Sequence, residues 1–262
     1  SNSSKEAIKV KNLVFKVGIK LKIITNESKI RKNIQSEARK IRYNLLLDFC
    51  KKHKIKTILT AHNLEDQVET FLIRLSRGSG LTGLSSMRPL IILNKTVKLS
   101  RPLLDLNKST LKIISKKIFG KYFKDPSNKD QKYLRSKIRN LQNPLEKSGI
   151  EYNQIIKSIN NLNSSKIILD DYYTQIIKKL KKKENNKISI NLKKFNILKD
   201  EIKMRVINES IKHIKKNYYS IRSKKVIRLI QHIQYKNFSQ TTLGGCIFYK
   251  NKGLLCLKEE KN

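Results

Sequence analysis

A chain of 262 residues and 30.6 kDa is long enough to bury its own core and suggests one to two domains. Its 59 Lys and Arg against 20 Asp and Glu leave a formal charge of +39, which fits a polyanionic partner, although the joint excess of Lys, Asn and Ile also follows from an AT-rich coding background, so charge names no partner by itself. Cys50, Cys246 and Cys256 show neither CxxC pairing nor metal-ligand spacing, and no apolar run approaches the ~20 residues of a membrane span, so neither a disulfide framework nor a zinc site is indicated and a soluble cytoplasmic protein with no membrane partner is expected.

Ser3 followed by Glu6 makes a capping box, and Ala7, Val10, Leu13, Val14 and Val17 recur at helical spacing up to Gly18, so a helix opens the chain. Ile19, Leu21 and Ile23 then alternate with polar residues until Thr25 to Lys29 break the pattern, which predicts a strand entering a loop. From Ser36 the apolar positions Ala38, Ile41, Leu45 and Phe49 return to helical period, and Thr57 to Ala61 is a short β-prone run. Helix, strand, helix, strand in that order predicts an α/β domain, a parallel sheet covered by helices.

A further helix runs from about Asn63 to about Ser76. Leu99 to Leu104, holding Arg101-Pro102, reads as extended, and Asn107 as the cap of a helix with Leu111, Ile114 and Ile118 before Gly120. Asp125-Pro126-Ser127-Asn128 is a loop ahead of a short helix with Tyr133, Arg135 and Arg139. Beyond Pro144 the alternation is lost. A long Ile-rich helical pattern covers about Glu151 to Leu180, KKKENNK reads as a solvated loop, and Cys246 to Lys250 and Leu254 to Lys258 flank Asn251-Lys252-Gly253 as a β-hairpin. The predicted division is 1–147, α/β, and 148–262, mostly helical with a terminal hairpin.

The chemistry concentrates in Thr57 to Leu84, directly after the carboxyl end of a predicted parallel strand, where open α/β sheets bind ligands. At about 100° per residue, Asp66, Glu69, Thr70 and Arg77 share one helical face and Val68, Phe71, Leu72 and Leu75 the other. Two carboxylates on one turn beside His62 can hold a hard divalent cation or orient a nucleophile, and the loop Arg77 to Gly80 can bring backbone N–H groups to an anion. Residue types alone favour a purely structural reading over that one: Asn63 caps the helix, and Glu65, Asp66 and Glu69 are favoured by its dipole.

The string HNLEDQVETFLIRLSRG resembles the His-x-x-x-Asp-Gln-x-Glu-Thr helix of the tRNA(Ile)-lysidine synthetase family, within the PP-loop ATP pyrophosphatases. NIQSEARKIRY (Asn33 to Tyr43), RPLLDLNKSTL (Arg101 to Leu111) and DPSNKDQKYLRSKIRNLQNPL (Asp125 to Leu145) resemble the same family in the same order, and LGGCIFYKNKGLLCL is similar to its last hairpin. The departure is at the start: the family's first strand and its Ser-Gly-Gly-x-Asp-Ser phosphate loop have no counterpart, and Ser1 to Ala7 resembles the start of the family's second helix. The expectation is a chain lacking that segment.

The resemblance implies an ATP-dependent ligase that adenylates the C2 oxygen of the wobble cytidine of a CAU-anticodon isoleucine tRNA and then lets L-lysine displace AMP. It implies catalytic roles for Asp66, Glu69, Arg42 and Arg135, with Asp66 and Glu69 holding Mg²⁺ on ATP or the lysine ammonium. It further implies nucleotide contacts at His62, Thr70, Arg77 and Gly78, and tRNA contacts at Lys137 and Arg139. The oligomeric state stays open, a dimer included. Two rivals remain: a non-catalytic or split RNA-binding module derived from the family, and a PP-loop tRNA thiolase, whose usual cysteines would lie nearer the motif than Cys50, Cys246 and Cys256 do.

Overall fold

The stop of the first predicted helix is where its sequence puts it, whereas the helix begins at Asn2, ahead of the Ser3 expected to cap it. In the computed structural model, which describes residues 2–26, 34–94, 96–123, 134–184, 187–215, 221, 223–235 and 237–260, α1 (Asn2–Phe15) ends as Gly18 takes φ +76°. There Gly18 N donates to Phe15 O at 3.0 Å and Ile19 N to Val14 O at 3.0 Å, satisfying carbonyls the helix cannot. The strand predicted at Ile19 to Ile23 does not form. The segment is irregular, with Ile19 and Ile23 exposed, because alternation makes a strand only where a neighbouring strand takes its N–H and C=O groups, and the sheet of this region does not include it. The Asp125 to Asn128 loop and Tyr133 lie outside the described residues.

The chain forms two compact units, Ser1–Lys166 and Ile167–Asn262. In the first, α2 (Ile34–Lys52) leads to β1 (Thr57–Leu59), α3 (Leu64–Leu75), the single turn α4 (Leu81–Leu84), β2 (Leu90–Ile92), β3 (Lys98–Ser100) and α5 (Lys108–Phe119). Then come α6 (Leu134–Arg139), α7 (Gln142–Lys147) and the start of α8 (Tyr152–Leu180). The sheet order is β1-β3-β2, with β1 parallel to β3 in register Ile58↔Leu99 and β2 antiparallel to β3, so the sheet is mixed rather than all parallel. Two small apolar clusters support it. Cys50, Ile58, Val97 and Leu99 pack α2 on the sheet, and Val68, Tyr152, Ile155 and Ile159 pack α3 on α8. Val68 lies on the apolar face predicted for α3, and burying such a side chain contributes roughly 1.5–3 kcal/mol. Asn107 caps α5 by accepting from Thr110 N at 2.8 Å, and Gly120 closes it at φ +71°, as its sequence predicts.

The second unit holds the rest of α8, then β4 (Lys181–Glu184), β5 (Lys187–Asn191), α9 (Leu192–Asn196), α10 (Asp200–Ile214), α11 (Ser223–Gln234), β6 (Gln240–Leu243), β7 (Cys246–Asn251) and β8 (Leu254–Glu259). The predicted hairpin is there, with Asn251 opposite Leu254 and Lys252 and Gly253 both at positive φ, the backbone of a type I′ turn. It is the centre of a larger sheet, ordered β4-β5-β8-β7-β6 and antiparallel throughout. Residues 181–184 of the lysine run, expected in a solvated loop, form the edge strand β4 instead: pairing with β5 (Lys181↔Ile190 to Glu184↔Lys187) satisfies their backbone, and an edge position tolerates a charged strand. Inward positions Ile188, Ile190, Phe248, Leu255 and Leu257 meet Val206, Ile207 and Ile211 of α10 and Val226, Ile230 and Ile233 of α11 in one apolar core.

Candidate active site

Parallel strands β1 and β3 stop side by side, with Thr60 N donating to Ser100 O at 3.0 Å; β1 is followed by Thr60 to Asn63 and β3 directly by Arg101. After β1, Asn63 stays extended and caps α3. Its side-chain oxygen accepts from Asp66 N at 2.9 Å while Asp66 Oδ2 accepts from Asn63 N at 3.1 Å, a reciprocal capping box. The structural reading of these residues therefore holds, yet it uses only one oxygen of Asp66.

The other oxygen belongs to a cluster built with α6. Arg135 Nη2 donates to Asp66 Oδ1 at 2.8 Å and Arg135 Nε to Glu69 Oε2 at 2.5 Å. Arg139 Nε donates to Glu69 Oε1 at 2.5 Å and its Nη2 to Oε2 at 3.2 Å. Residues three apart on one helix thus face residues four apart on another, the spacings that align side chains on one helical face. Glu69 has a side chain only 5% exposed, and an ionised carboxylate that deep is tolerable because two guanidinium forks satisfy it. Tyr152 lies beside it: burial, reinforced by the charge of Glu69, pushes the phenol up to about 12.

All four carboxylate oxygens of Asp66 and Glu69 accept N–H bonds. A divalent cation bound there would have to displace both guanidinium groups and then stand beside them, so the pair as arranged does not fit a metal. Among the described residues no group of three His, Cys, Asp or Glu is placed to hold one.

The cluster is electrically balanced, and the surplus of positive charge lies next to it. Arg101, the first residue after β3, is 5% exposed; its Nη1 donates to Arg88 O at 2.6 Å, its side chain bonds to Tyr43, and its Nε is buried with no partner. Arg39 of α2 lies over the same Tyr43 ring, 5.1 Å from its centroid. His62 Nδ1 is 2.9 Å from Thr60 Oγ1, and its pKa is lowered, chiefly by burial. Asp66 opposes that shift, and Arg101, Arg39 and Arg135 add to it.

The sequence-predicted residues separate accordingly. Asp66, Glu69 and Arg135 come together, with His62 at the strand end. Arg139, expected on the tRNA side, is inside the cluster. Arg42 is exposed on α2, and among the described residues no hydrogen bond or ion pair joins it to Asp66 or Glu69; Arg39, one turn earlier, is the arginine of that segment whose charge reaches His62. Thr70 donates its hydroxyl back to Asp66 O at 2.7 Å. Arg77 and Gly78 lie past the far end of α3, roughly 16 Å from Asp66 by the helical rise, and Gly78 N is spent on Leu75 O at 2.9 Å, so these two are not brought to the site. Lys137 is exposed on α6. The residues that sequence reasoning missed are Arg101, whose signal was a charge immediately after a β-run, and Gln67. Gln67 Oε1 accepts from Met87 N at 2.8 Å and its Nε2 donates to Met87 O at 2.9 Å, fastening the segment that Arg101 holds at Arg88.

A polar, arginine-rich cluster lies at the carboxyl ends of parallel strands, fed by the helices that follow them, the position at which open α/β sheets take ligands. The chain belongs to the PP-loop domain family, whose model matches residues 1–146. It is similar to the tRNA(Ile)-lysidine synthase of Wolbachia pipientis wMel, 34% identical over 264 residues, 98% of this chain and 61% of that protein. The protein of the same name from Ruegeria pomeroyi is 30% identical over 82% of this chain and 51% of its own length, and that of Orientia tsutsugamushi is 45% identical over 109 residues, 42% of this chain and 24% of its own. The chain spans about 61% of the length of the first of these relatives. No helix among the described residues is long and apolar enough to cross a membrane.

Proposed function

We propose that the chain acts as a tRNA(Ile)-lysidine synthase, an ATP-dependent ligase working in the cytoplasm on the CAU-anticodon isoleucine tRNA with free L-lysine. The observation that carries this reading is the convergence of Asp66 and Glu69 with Arg135 and Arg139 beside His62, where relatives of that name match the chain. The reaction has two displacements. The cytosine C2 oxygen attacks the α-phosphorus of ATP and pyrophosphate leaves; the lysine ε-amine then attacks C2, the C2–O bond breaks, AMP leaves and the nitrogen gives up a proton.

Both steps place negative charge on phosphate oxygens, and preorganised cations are the efficient answer to charge that develops in a transition state. Arg135, with a side chain 38% exposed, keeps an accessible edge while its Nε and Nη2 are held by the carboxylates. Arg101 and Arg39 add the positive charge that the balanced cluster lacks. Asp66, 21% exposed, is the carboxylate within reach of an incoming ammonium, whereas Glu69 is the buried anchor that fixes both guanidinium planes. Mg²⁺ would arrive on the nucleotide's own phosphates rather than on Asp66 and Glu69. Division of labour near residue 147, with the later part holding tRNA, belongs to the same proposal.

The test is incorporation of labelled lysine into a CAU-anticodon isoleucine tRNA transcript by the protein. Incorporation should require ATP, and Asp66→Ala should cut it by roughly 100-fold or more in a protein that stays folded. Near-normal turnover in both Asp66→Ala and Glu69→Ala overturns the assignment.

A further inference from the structure

The second unit carries a cavity that the ligase chemistry does not use. It lies where α11 hands over to β6, has a volume of about 790 Å³, and is lined by His232 and Tyr235 from the end of the helix, Asn237 and Phe238 from the turn, and Gln240 and Thr241 from the strand. β6 is the outermost strand of its sheet, bonded to β7 on one side. Phe238 also packs on the main core, which holds the turn in place, whereas Tyr235 is 64% exposed, with its ring 6.1 Å from that of His232.

Two exposed rings, His232 and Tyr235, stand beside the half-buried Phe238 among amides and hydroxyls, an amphipathic surface of the kind that interfaces cover. The charge beside it indicates what does. Lys250 of β7 has its Nζ 5.4 Å from the Phe238 ring centroid and 3.0 Å from Tyr235 O, so a cation is fixed at the wall of the cavity, and none of the described residues lining it is acidic. Aromatic faces for stacking, polar groups for base edges and a fixed cation for the backbone are the combination by which proteins hold unpaired nucleotides.

We infer that this cavity seats one unpaired nucleotide of RNA, its base stacked on Tyr235 and its phosphate beside Lys250. The inference rests on the proposed function only in taking RNA as the partner. It does not concern the modified cytidine, whose chemistry belongs to the first unit. Single-stranded RNA should bind here through stacking and duplex RNA, whose bases are already stacked, should not.

The full chain is titrated with a labelled hexauridylate and with a blunt RNA duplex of equal charge at one salt concentration. Tyr235→Ala should weaken hexauridylate binding about tenfold and leave the duplex within about twofold, while Tyr235→Phe keeps wild-type affinity. The Tyr235 side chain is exposed and Lys250 is held by its backbone carbonyl, so the variant leaves the cavity wall standing. Lys250→Gln should weaken the single strand and lower the salt dependence of its binding. Hexauridylate binding that ignores Tyr235, or falls equally for the duplex, overturns the cavity assignment and leaves the ligase reading standing. No hexauridylate binding by the wild-type chain overturns the cavity assignment as well, and the ligase reading is decided by the lysine-incorporation assay on tRNA.

Discussion

The two units are held by different forces. The second is organised by one continuous apolar core, in which a five-stranded antiparallel sheet meets α10 and α11. Among the described residues the first has two small apolar clusters, and α6 is fastened to α3 by ion pairs between Asp66, Glu69, Arg135 and Arg139. Apolar burial is non-directional and tolerates approximate shape, whereas a buried carboxylate shared by two guanidinium forks fixes angles and distances. A unit that must present charged groups in a set geometry uses the second device where the first would suffice for stability alone.

The sharpest way to break this contrast is to remove one member of each device. Glu69→Ala leaves two guanidinium groups without their buried partner, and losses of about 3–5 kcal/mol are typical of that change. Urea unfolding of the chain should show it, with protection from hydrogen exchange falling first in α3 and α6. An equal loss in Glu69→Gln would mean that charge is the essential part, and little loss in either would mean that the cluster does not hold the unit. In the second unit Phe248→Ala should cost a similar amount, about 3–5 kcal/mol, by opening a cavity under β7 and β8. Its exchange protection should fall across β5, β7, β8 and α10 together, as a shared core requires; a loss limited to β7 would contradict that.

A smaller effect is expected from Arg139→Lys, which keeps the charge and loses the fork. An ammonium cannot reproduce the paired contacts of Nε with Oε1 and Nη2 with Oε2, and one charge-assisted hydrogen bond is worth about 1.5–3 kcal/mol. Equilibrium unfolding of this variant beside Arg135→Lys separates the two forks, and lysine incorporation should suffer more in Arg135→Lys because that side chain is the more exposed. Equal activity in the two would mean that neither guanidinium touches substrate.

The same contrast decides what the sequence makes legible. The hairpin at Lys252-Gly253, the Asn107 cap and the apolar side of α3 follow from local pattern, because turn geometry and helical period are properties of neighbouring residues. β4 was not legible. Its lysines carry no strand signature, and only pairing with β5, itself placed by a core formed from distant segments, makes Lys181–Glu184 a strand. In the site, Asp66 and Glu69 could be placed on one face from spacing alone. That Arg139 rather than Arg42 would join them could not, since it depends on how α6 lies against α3. Arg101 escaped notice for a related reason: its burial becomes visible only when the strand ends are assembled.

His62 offers the finest probe of that assembly. Its folded pKa lies below 6.5, from burial first, with Asp66 opposing and Arg101, Arg39 and Arg135 adding to the shift. Between the folded value and 6.5 the unfolded chain therefore holds more protons than the folded one, so stability rises with pH through that window. The contribution is complete above 6.5 and is lost as pH falls towards the folded value. Subtracting the stability profile of His62→Gln from that of the wild type should isolate a slope confined to the acid side of 6.5. Asp66→Asn should extend that slope to lower pH, because it removes a nearby charge that favours the imidazolium. A difference profile flat from pH 5 to 7 would show that His62 titrates as it does in water, and would place it outside the cationic corner formed with Arg101 and Arg39.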